Sequence, residues 1–353
     1  MRFFEEVLDI CNKLINWYRE NKRELPWRNT TDPYKIWLSE IILQQTRVQQ
    51  GLPYYEKFTN QFPTINDLAD ASEQDVLLLW QGLGYYSRAR NMHYTAKMIV
   101  DKYNGNFPEN HNEILALKGV GEYTAAAIAS FAFDKAYPVL DGNVFRFISR
   151  LFGIEKPIDT STGKKEITKA LDLIFNTQKP ALFNQAIMEF GATHCTPKKP
   201  KCDTCIFNMQ CEALGSKKVM SIPVKKGKTK ILQVNHTYMC FIHDNKTYIE
   251  KRTAGIWKNL YQFPLIEEDI KPDGITKIIN RYLKTPSKFK ISDVFDSTHI
   301  LSHRKIQASF FTIHLDTSPI FLKNNIFEIP LADLTTRYPV SILTQNYLKR
   351  LNL

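Results

Sequence analysis

The chain has 353 residues, more than one hydrophobic core of ordinary size usually organises, so its length predicts two domains. Hydrophobic residues make up 43% of it and aromatic residues 12%, a composition that excludes wholesale disorder. The formal net charge of +11 favours a polyanionic partner, although solubility alone also accounts for such an excess.

The first twenty residues do not have the pattern of a signal peptide. They place acids inside an apolar pattern and lack both a continuous hydrophobic stretch and a small-residue cleavage site. The sequence also contains no run of about 18 apolar residues, the length that crosses a bilayer. We therefore expect a cytosolic protein with no membrane partner.

Helical periodicity runs through the chain up to about Phe190, which predicts an all-α domain. A lysine-rich stretch follows at residues 216–230, and residues 232–252 and 306–316 then alternate between apolar and polar side chains as strands do. We predict a helical domain over residues 1–215, a basic linker over 216–232 and an α+β domain over 233–353. The linker is interpreted either as a solvated, flexible tether or as a DNA contact.

Four of the six cysteines cluster in the spacing Cys-x6-Cys-x2-Cys-x5-Cys. In a cytosolic chain this clustering indicates a metal centre rather than disulfides. Four thiolates suit either tetrahedral zinc or a [4Fe-4S] cluster, and the spacing does not choose between them. The cysteines are Cys195, Cys202, Cys205 and Cys211. The loop between the first two presents Lys198, Lys199 and Lys201, which form a candidate phosphate-binding surface.

Two predicted helices meet at the sequence Gly119-Val120-Gly121. Paired glycines allow a tight turn that brings the free N–H groups of the next helix up to an anion, as in helix N-terminal phosphate sites. On its own the turn is weak evidence, because many helices end in glycine. Asp141 precedes a later helical segment, where an ordinary N-cap is the simplest interpretation.

A carboxylate, Glu40, stands in the middle of the apolar helical stretch at residues 38–46. It shares a helical face with Ile36 and Leu43, so burial is expected to raise its pKa. A buried acid needs either a partner or a chemical task.

Several short motifs follow one another in a fixed order along residues 5–215. They are LPWR (25–28), WLSEIILQQT (37–46), QGLGYYSRARN (81–91), LKGVGEYTA (117–125), VLDGNVFR (139–146), FNQAIMEFGATHCTPKKPKC (183–202) and CDTC through Cys211. Together they resemble the adenine DNA glycosylase family of MutY type, within the helix-hairpin-helix glycosylase superfamily. The resemblance implies a [4Fe-4S] cluster on the four cysteines and removal of adenine mispaired with 8-oxoguanine or guanine in duplex DNA. We then expect a monomeric, nucleoid-associated enzyme of the bacterial cytoplasm.

The resemblance also assigns roles to the two carboxylates. Adenine leaves deoxyribose poorly, so the enzyme must protonate the base and stabilise the sugar cation left behind. The resemblance implies that Glu40, kept neutral by burial, protonates adenine N7. It implies that Asp141, kept ionised beside a helix N-terminus, stabilises the oxocarbenium ion. Asn143 would position the carboxylates, and the hydroxyl of Tyr123 would pack against the same site.

Tyr123 also distinguishes two reaction types. In related enzymes of endonuclease III type, a lysine at this position attacks the sugar and makes the protein a strand-cutting lyase. Because this chain has a tyrosine there, we expect a hydrolytic, monofunctional glycosylase. Two alternatives are such a lyase and a non-catalytic sensor of DNA damage, which would need neither carboxylate.

A base inside a duplex must be flipped out before it reaches these groups, and the gap must be filled. By resemblance, the residues around the lesion are Gln45, Thr46, Leu83, Gly84 and Tyr85. The resemblance suggests an adenine pocket formed by Leu25, Trp27, Arg28 and Gln185. The alternative is a solvated helix position for Gln45 and core packing for Leu25, Trp27 and Tyr85.

The C-terminal part resembles the lesion-sensing domain of the family, a Nudix-like fold, through residues 255–264 and 298–306. The Gly-x5-Glu-x7-Arg-Glu-x2-Glu-Glu pattern is absent from the sequence, so we do not expect nucleotide pyrophosphohydrolysis. The family usually has Phe-Ser-His in the second stretch, where this chain has Leu301, Ser302 and His303. The resemblance implies that these three residues recognise 8-oxoguanine together with Gln45 and Tyr85. Because Leu301 replaces the aromatic ring of the family, the strength of discrimination between 8-oxoguanine and guanine is an open question. A surface turn is the alternative.

Overall fold

A computed structural model describes residues 2–227, 231–268, 270, 272–284, 287–301 and 303–352. Their contacts form two compact units, one of Met1–Asn66 with Tyr94–Lys228 and the other of Asp67–His93 with Thr229–Leu353. In the part of the chain that is described, no helix is long and apolar enough to cross a membrane.

The first unit is helical, as the periodicity predicts. Polar side chains at several helix starts accept backbone N–H groups that would otherwise have no partner, as Asp32, Asn110 and Thr160 do. The helices of both units up to residue 215 are α1 (Arg2–Asn21), α2 (Pro33–Leu43), α3 (Val48–Gln61), α4 (Ile65–Asp70), α5 (Glu73–Leu79), α6 (Ser87–Tyr103), α7 (His111–Leu115), α8 (Glu122–Phe133), α9 (Gly142–Leu151), α10 (Ser161–Ile174), α11 (Pro180–Thr193) and α12 (Glu212–Gly215), with a 3-10 turn at Pro26–Arg28.

The main core of the first unit lies where α9 and α11 pack on each other and on α1 and α10. On α9 the apolar residues recur at helical spacing and are almost fully buried. Phe147 of α9 meets Phe190 of α11 edge to face, with ring centroids 4.9 Å apart. At Gly191 the absence of a side chain lets α11 approach the start of α9, because a Cβ there would lie 2.7 Å from the Asn143 carbonyl oxygen.

The turn between α7 and α8 has the predicted form. Gly119 adopts φ +84°, a conformation that favours glycine, and the N–H of Val120 donates to the Leu117 carbonyl at 3.1 Å. Gly121 is the N-cap of α8. The predicted helix-turn-helix at this position is therefore confirmed.

The basic segment after α12 contacts the first unit at several points. The Ile158 N–H donates to the Val224 carbonyl at 3.0 Å, and Nε of Arg150 donates to the Ile222 carbonyl at 3.0 Å. The Asp159 carboxylate accepts the Lys226 N–H at 2.9 Å. Up to residue 227 this segment is thus held by hydrogen bonds, and residues 228–230 of the predicted linker lie outside the described residues.

The second unit contains a mixed sheet of order β3-β2-β1-β6-β5, in which β4 also pairs with β1 and β7 with β2. Its long central strands, β1 and β6, run parallel, with Tyr238 opposite Phe310, and β5 and β6 are antiparallel. The strands are β1 (Leu232–His243), β2 (Lys246–Lys251), β3 (Tyr261–Gln262), β4 (Leu265–Ile266), β5 (Phe289–Ile300), β6 (Arg304–Leu315) and β7 (Ile326–Pro330). The predicted strand pattern is confirmed for β1, β2 and β6, whereas β5 was not predicted.

Helices cover both faces of this sheet. One core contains Tyr238 and Phe310 with Tyr347 of α14 (Ile342–Arg350), and the other contains Met239 with Ile275 of α13 (Pro272–Tyr282). Successive residues of β1 therefore enter opposite cores, as the period of a strand requires.

Residues 67–93 belong to the same compact unit as the sheet. The Tyr261 hydroxyl donates to Gln74 Oε1 at 2.9 Å, and the Val340 N–H donates to Gln81 Oε1 at 2.8 Å. This grouping was not foreseen from the sequence. The predicted domain limits of 1–215, 216–232 and 233–353 stay predictions.

Gly191→Ala tests the contact between α9 and α11. We expect the added methyl group to displace the Asn143 backbone and to lower the free energy of unfolding by about 1–3 kcal/mol, as overpacking does. Gly142→Ala is the matched control, because a Cβ at Gly142 meets no atom within 4 Å among the described residues. Chemical denaturation of both variants measures the difference, and equal stabilities would contradict the packing described for Gly191.

Candidate active site

A cavity of about 460 Å³ in the first unit is lined by all the residues predicted for catalysis and adenine binding. This volume is within the range of small-molecule sites. The predicted residues that line it are Leu25, Trp27, Arg28, Glu40, Thr46, Tyr123, Asp141, Asn143 and Gln185. They come from the 3-10 turn, α2, the segment before α3, α8, α9 and α11, so the cavity exists only in the folded unit.

Glu40 lies in the apolar part of α2 and is 6% exposed. Burial raises the pKa of Glu40 to about 7, opposed by a hydrogen bond from Tyr123 and assisted by the nearby charge of Asp141. Burial likewise raises the pKa of Tyr123 well above its ordinary value, so this hydroxyl remains a neutral donor. Near neutral pH, Glu40 is therefore partly protonated and can act as an acid.

Asp141 is the N-cap of α9, as the sequence predicts. Its Oδ1 accepts the N–H groups of Asn143 at 2.8 Å and Val144 at 2.7 Å, and its Oδ2 accepts Nδ2 of Asn143 at 2.6 Å. Burial raises the pKa of Asp141, and these hydrogen bonds oppose the rise. Because the donated N–H groups favour the ionised form, Asp141 is the member of the pair that loses its proton first.

Asn143 is oriented from both ends of its amide. Its Oδ1 accepts Nη2 of Arg146 at 3.0 Å, which leaves the amide nitrogen to donate to Asp141. Arg146 also donates to the carbonyls of Gly191 and Cys195, the latter at 2.7 Å. Arg146 lines the cavity, but the sequence did not single it out.

A buried carboxylate paired with two arginines, which the sequence analysis missed, forms another wall of the cavity. Glu189 of α11 is 0% exposed and accepts Nε of Arg23 at 2.7 Å and Nη2 of Arg28 at 2.6 Å. Burial alone would raise the pKa of Glu189, but the hydrogen bonds from the two arginines outweigh it and hold the pKa at about 2. An acid inside an apolar helix was the signal that identified Glu40, and it applied equally to Glu189.

The predicted adenine-pocket residues are held by neighbouring side chains. The Tyr18 hydroxyl donates to Gln185 Oε1 at 2.6 Å, and the Arg28 guanidinium lies 5.6 Å from the centroid of the Tyr18 ring. Trp27 packs edge to face on Tyr55 at 5.1 Å. All these partners lie in the first unit. Gln185, Arg28 and Trp27 thus have fixed positions along the cavity wall.

The residues predicted to enter DNA lie outside this cavity, except Thr46. Gln45 is exposed and adopts φ +55°, and Tyr85 is 43% exposed with φ +48°. Left-handed backbone is uncommon for residues other than glycine and recurs at functional sites. Gln45 and Thr46 belong to the first unit, and Leu83, Gly84 and Tyr85 belong to the second.

The predicted phosphate-binding groups are on the surface of the first unit. Gly119 and Gly121 are exposed at the start of α8, while the side chain of Val120 is buried. Lys198, Lys199 and Lys201 are exposed in the loop between Cys195 and Cys202.

Two of the second-unit residues predicted to recognise 8-oxoguanine, Leu301 and His303, lie between the end of β5 and the start of β6. Leu301 packs against the core that contains Tyr347, and its N–H donates to the Arg304 carbonyl at 2.7 Å. His303 is exposed, and its carbonyl accepts the Leu232 N–H at 2.9 Å. Ser302 lies outside the described residues.

The four clustered cysteines line another cavity of the first unit. Burial raises the pKa of Cys205 to about 11, with smaller contributions from the neighbouring cysteines. Nη1 of Arg150 donates to Cys195 Sγ at 3.5 Å, and Nε2 of His194, which lines the same cavity, has no hydrogen-bond partner among the described residues. Within those residues, no group of three or more His, Cys, Asp or Glu side chains is arranged to hold a metal ion.

Comparison with known proteins places these features in a family. Residues 38–174 match the family described as HhH-GPD superfamily base excision DNA repair protein. The chain is 36% identical to an adenine DNA glycosylase of Buchnera aphidicola subsp. Schizaphis graminum, over 89% of this chain and 88% of the relative. It is 34% identical to an adenine DNA glycosylase of Arabidopsis thaliana, over 88% of this chain and 58% of that protein.

A solved structure of another DNA glycosylase has a similar fold. A thermostable thymine-DNA glycosylase, 29% identical, superposes with a TM-score of 0.55 over 60% of this chain and 98% of that one. The similarity to the Buchnera relative extends along nearly the whole of both chains. The chain therefore belongs to the adenine DNA glycosylase family, and it is a DNA glycosylase of base excision repair, a hydrolase that acts on adenine.

Proposed function

We propose that this glycosylase hydrolyses the N-glycosidic bond of adenine mispaired with 8-oxoguanine or guanine in duplex DNA and does not cut the strand. The observation that carries the proposed chemistry is the presence of two carboxyl groups in one cavity, those of buried Glu40 and partly exposed Asp141, with different hydrogen-bond partners. Two carboxyl groups with separated pKa values are suited to different roles in one reaction.

Glu40 is the proton donor. The pKa of about 7 lets it hold a proton at neutral pH and transfer it to N7 of adenine. As the bond between C1′ and N9 breaks, its electron pair moves to the protonated base, which departs as neutral adenine. The ionised Glu40 then accepts a proton from the water that attacks C1′, which leaves an abasic sugar and restores the acid.

Asp141 stabilises the cationic sugar between these steps. Its carboxylate is fixed by the N–H groups at the start of α9 and by Asn143, so it does not need to reorganise as positive charge develops on the sugar. Tyr123, which donates to Glu40, holds the acid in place. Because position 123 carries no amine, the chain forms no Schiff base with the sugar and works as a monofunctional enzyme.

The adenine reaches the cavity by leaving the duplex. Leu25, Trp27, Arg28 and Gln185 form the wall that receives the base. Gln45 and Tyr85, both exposed and in left-handed conformations, fill the space in the DNA with Thr46, Leu83 and Gly84 beside them. The N-terminus of α8 at Gly119, Val120 and Gly121 and the lysines at 198, 199 and 201 bind phosphates.

The second unit recognises the base opposite adenine. The residues that contact 8-oxoguanine in this unit are Leu301, Ser302 and His303, and Gln45 and Tyr85 also contact it. The unit has a Nudix-like fold. The support is the position of Leu301 and His303 in the turn between β5 and β6. The enzyme acts as a monomer on the nucleoid of a bacterial cytoplasm, where its DNA substrate is.

The four cysteines are proposed to hold a [4Fe-4S] cluster. Around a single zinc ion all four sulfurs lie about 2.3 Å from the metal, whereas in a four-iron cluster each cysteine binds its own iron. The four cysteines line one cavity and offer four thiols, the ligand set of such a cluster. Its role is structural, since it shapes the loop that presents Lys198, Lys199 and Lys201.

The proposed acid is tested by Glu40→Gln, with Glu24→Gln as the control for removing an exposed carboxylate from the same unit. We expect Glu40→Gln to lower the single-turnover rate of adenine release at least about 100-fold while DNA binding is retained, because the amide cannot donate a carboxyl proton. Duplexes with adenine opposite 8-oxoguanine, guanine and thymine are compared side by side. DNA incubated with the unaltered chain should show strand breaks only after the abasic product is treated with alkali. Substantial residual release by Glu40→Gln would refute the acid role, and strand cutting without alkali would indicate a lyase.

The proposed cluster is tested by metal and sulfide analysis of the purified chain. We expect about four iron and four sulfide per chain and a brown protein. Cys202→Ala should lose this content, whereas Cys11→Ala, which changes a buried cysteine away from the cavity, should keep it. A colourless protein with one zinc ion per chain would contradict the proposal.

A further inference from the structure

The turn that precedes α6 places an aromatic ring on unusual backbone. Gly82 and Gly84 adopt φ +95° and +77°, and Tyr85 follows with φ +48°. Glycine tolerates these values, but a residue with a Cβ rarely adopts them. The Tyr85 ring is nonetheless 43% exposed. Something other than burial in a core must therefore fix its orientation.

Arg88, on the first turn of α6, contacts this ring. Its guanidinium carbon lies 5.7 Å from the centroid of Tyr85 and 5.0 Å from that of Trp80. Nη2 of Arg88 donates to the Gly84 carbonyl at 3.2 Å, and Nε1 of Trp80 donates to the same carbonyl at 2.9 Å. Trp80 is 0% exposed. Arg88 thus connects a buried ring, the carbonyl of the glycine turn and an exposed ring.

Arg88 is a charged side chain in a largely buried position. Arg88 is only 9% exposed, and burial lowers its pKa to about 10, so it remains protonated at neutral pH. Burying a cation is unfavourable unless specific contacts offset it. A planar guanidinium stacks on aromatic faces, and this attraction grows when water is excluded. An apolar side chain could fill the same space, but it would not attract the faces of the rings.

We propose that Arg88 is a positioning residue that holds the Tyr85 ring in the orientation in which it enters DNA. This inference rests on the proposed role of Tyr85 in filling the space around the lesion. A ring that is oriented before binding loses less conformational freedom when it enters the stack. Arg88 would therefore act on adenine release through Tyr85.

A double-mutant cycle tests this dependence. The variants are Arg88→Met, Tyr85→Leu and their combination, and the readout is kcat/KM for adenine release from a duplex with adenine opposite 8-oxoguanine. We expect Arg88→Met to lower kcat/KM about tenfold when Tyr85 is present, as loss of a desolvated cation–π contact would. In a chain that already carries Tyr85→Leu, Arg88→Met should lower kcat/KM less than about twofold.

Arg90→Met is the matched control, because Arg90 lies on the same helix and donates to the Lys258 carbonyl at 2.7 Å, within the same unit. It should change kcat/KM less than about twofold. Arg88→Lys keeps a cation, so it should lower kcat/KM less than Arg88→Met does, and this decrease should also depend on the presence of Tyr85. It replaces Arg88→Met in the cycle if thermal unfolding shows that the methionine variant does not fold.

Two outcomes would overturn the inference. If Arg88→Met lowered kcat/KM equally with and without Tyr85, Arg88 would support the fold in general. No effect of Tyr85→Leu alone would remove the role of Tyr85 and that of Arg88 with it. In that case, adenine release by the unaltered chain would still support the proposed function, so the two failures can be told apart.

Discussion

The burial of Glu40 opposite Asp141 is the constraint on which the rest of the site depends. A rise of the Glu40 pKa from 4.5 to about 7 means that its ionised form is disfavoured by roughly 3 kcal/mol in the folded chain. Because the folded pKa is the higher one, this destabilisation is absent below pH 4.5, grows as the pH rises and is complete above about pH 7. The hydrophobic core around α9 and α11 must offset it at neutral pH. Stability is thus given up for a carboxyl group that can deliver a proton.

Helix α9 links the parts of the first unit that carry the proposed chemistry. Asp141 begins it, Asn143 orients the carboxylate, and Arg146 connects Asn143 to the carbonyl of Cys195. One turn later, Arg150 donates to the sulfur of Cys195 and to the Thr196 carbonyl. One helix, α9, therefore contacts both the candidate active-site cavity and the cysteine loop. Precise placement of reacting groups requires support of this kind.

The sequence predicted the parts of this structure that depend on local patterns. Helical periodicity identified the first unit, an acid in an apolar helix identified Glu40, and an acid before a helix identified the cap at Asp141. Strands β1, β2 and β6 followed from alternation. These features arise from residues a few positions apart, so one sequence contains the information needed to find them.

Features that depend on distant residues were not predicted. Arg23 and Glu189 are 166 positions apart, and no local pattern indicates that they pair. Arg146 was not singled out, because two of its acceptors, the carbonyls of Gly191 and Cys195, lie on α11 and the cysteine loop. Strand β5 was missed because its two faces are mixed in polarity: apolar Val294 and Ile300 are exposed, whereas Asp293 lies on the half-buried face. Its pairing with β6 supplies the stability. The grouping of residues 67–93 with the sheet has the same cause, since it depends on contacts made far along the chain.

In the proposed chemistry, Glu40 keeps its proton near neutral pH while Asp141 has already lost its own. The most direct measurement is a pH titration of the Glu40 side-chain carboxyl carbon by NMR on protein with labelled glutamate, with the resonance assigned by its loss in Glu40→Gln. We expect an apparent pKa near 7 for Glu40 and a lower one for Asp141, measured with labelled aspartate. Titration of Glu40 near its ordinary value of 4.5 would contradict it.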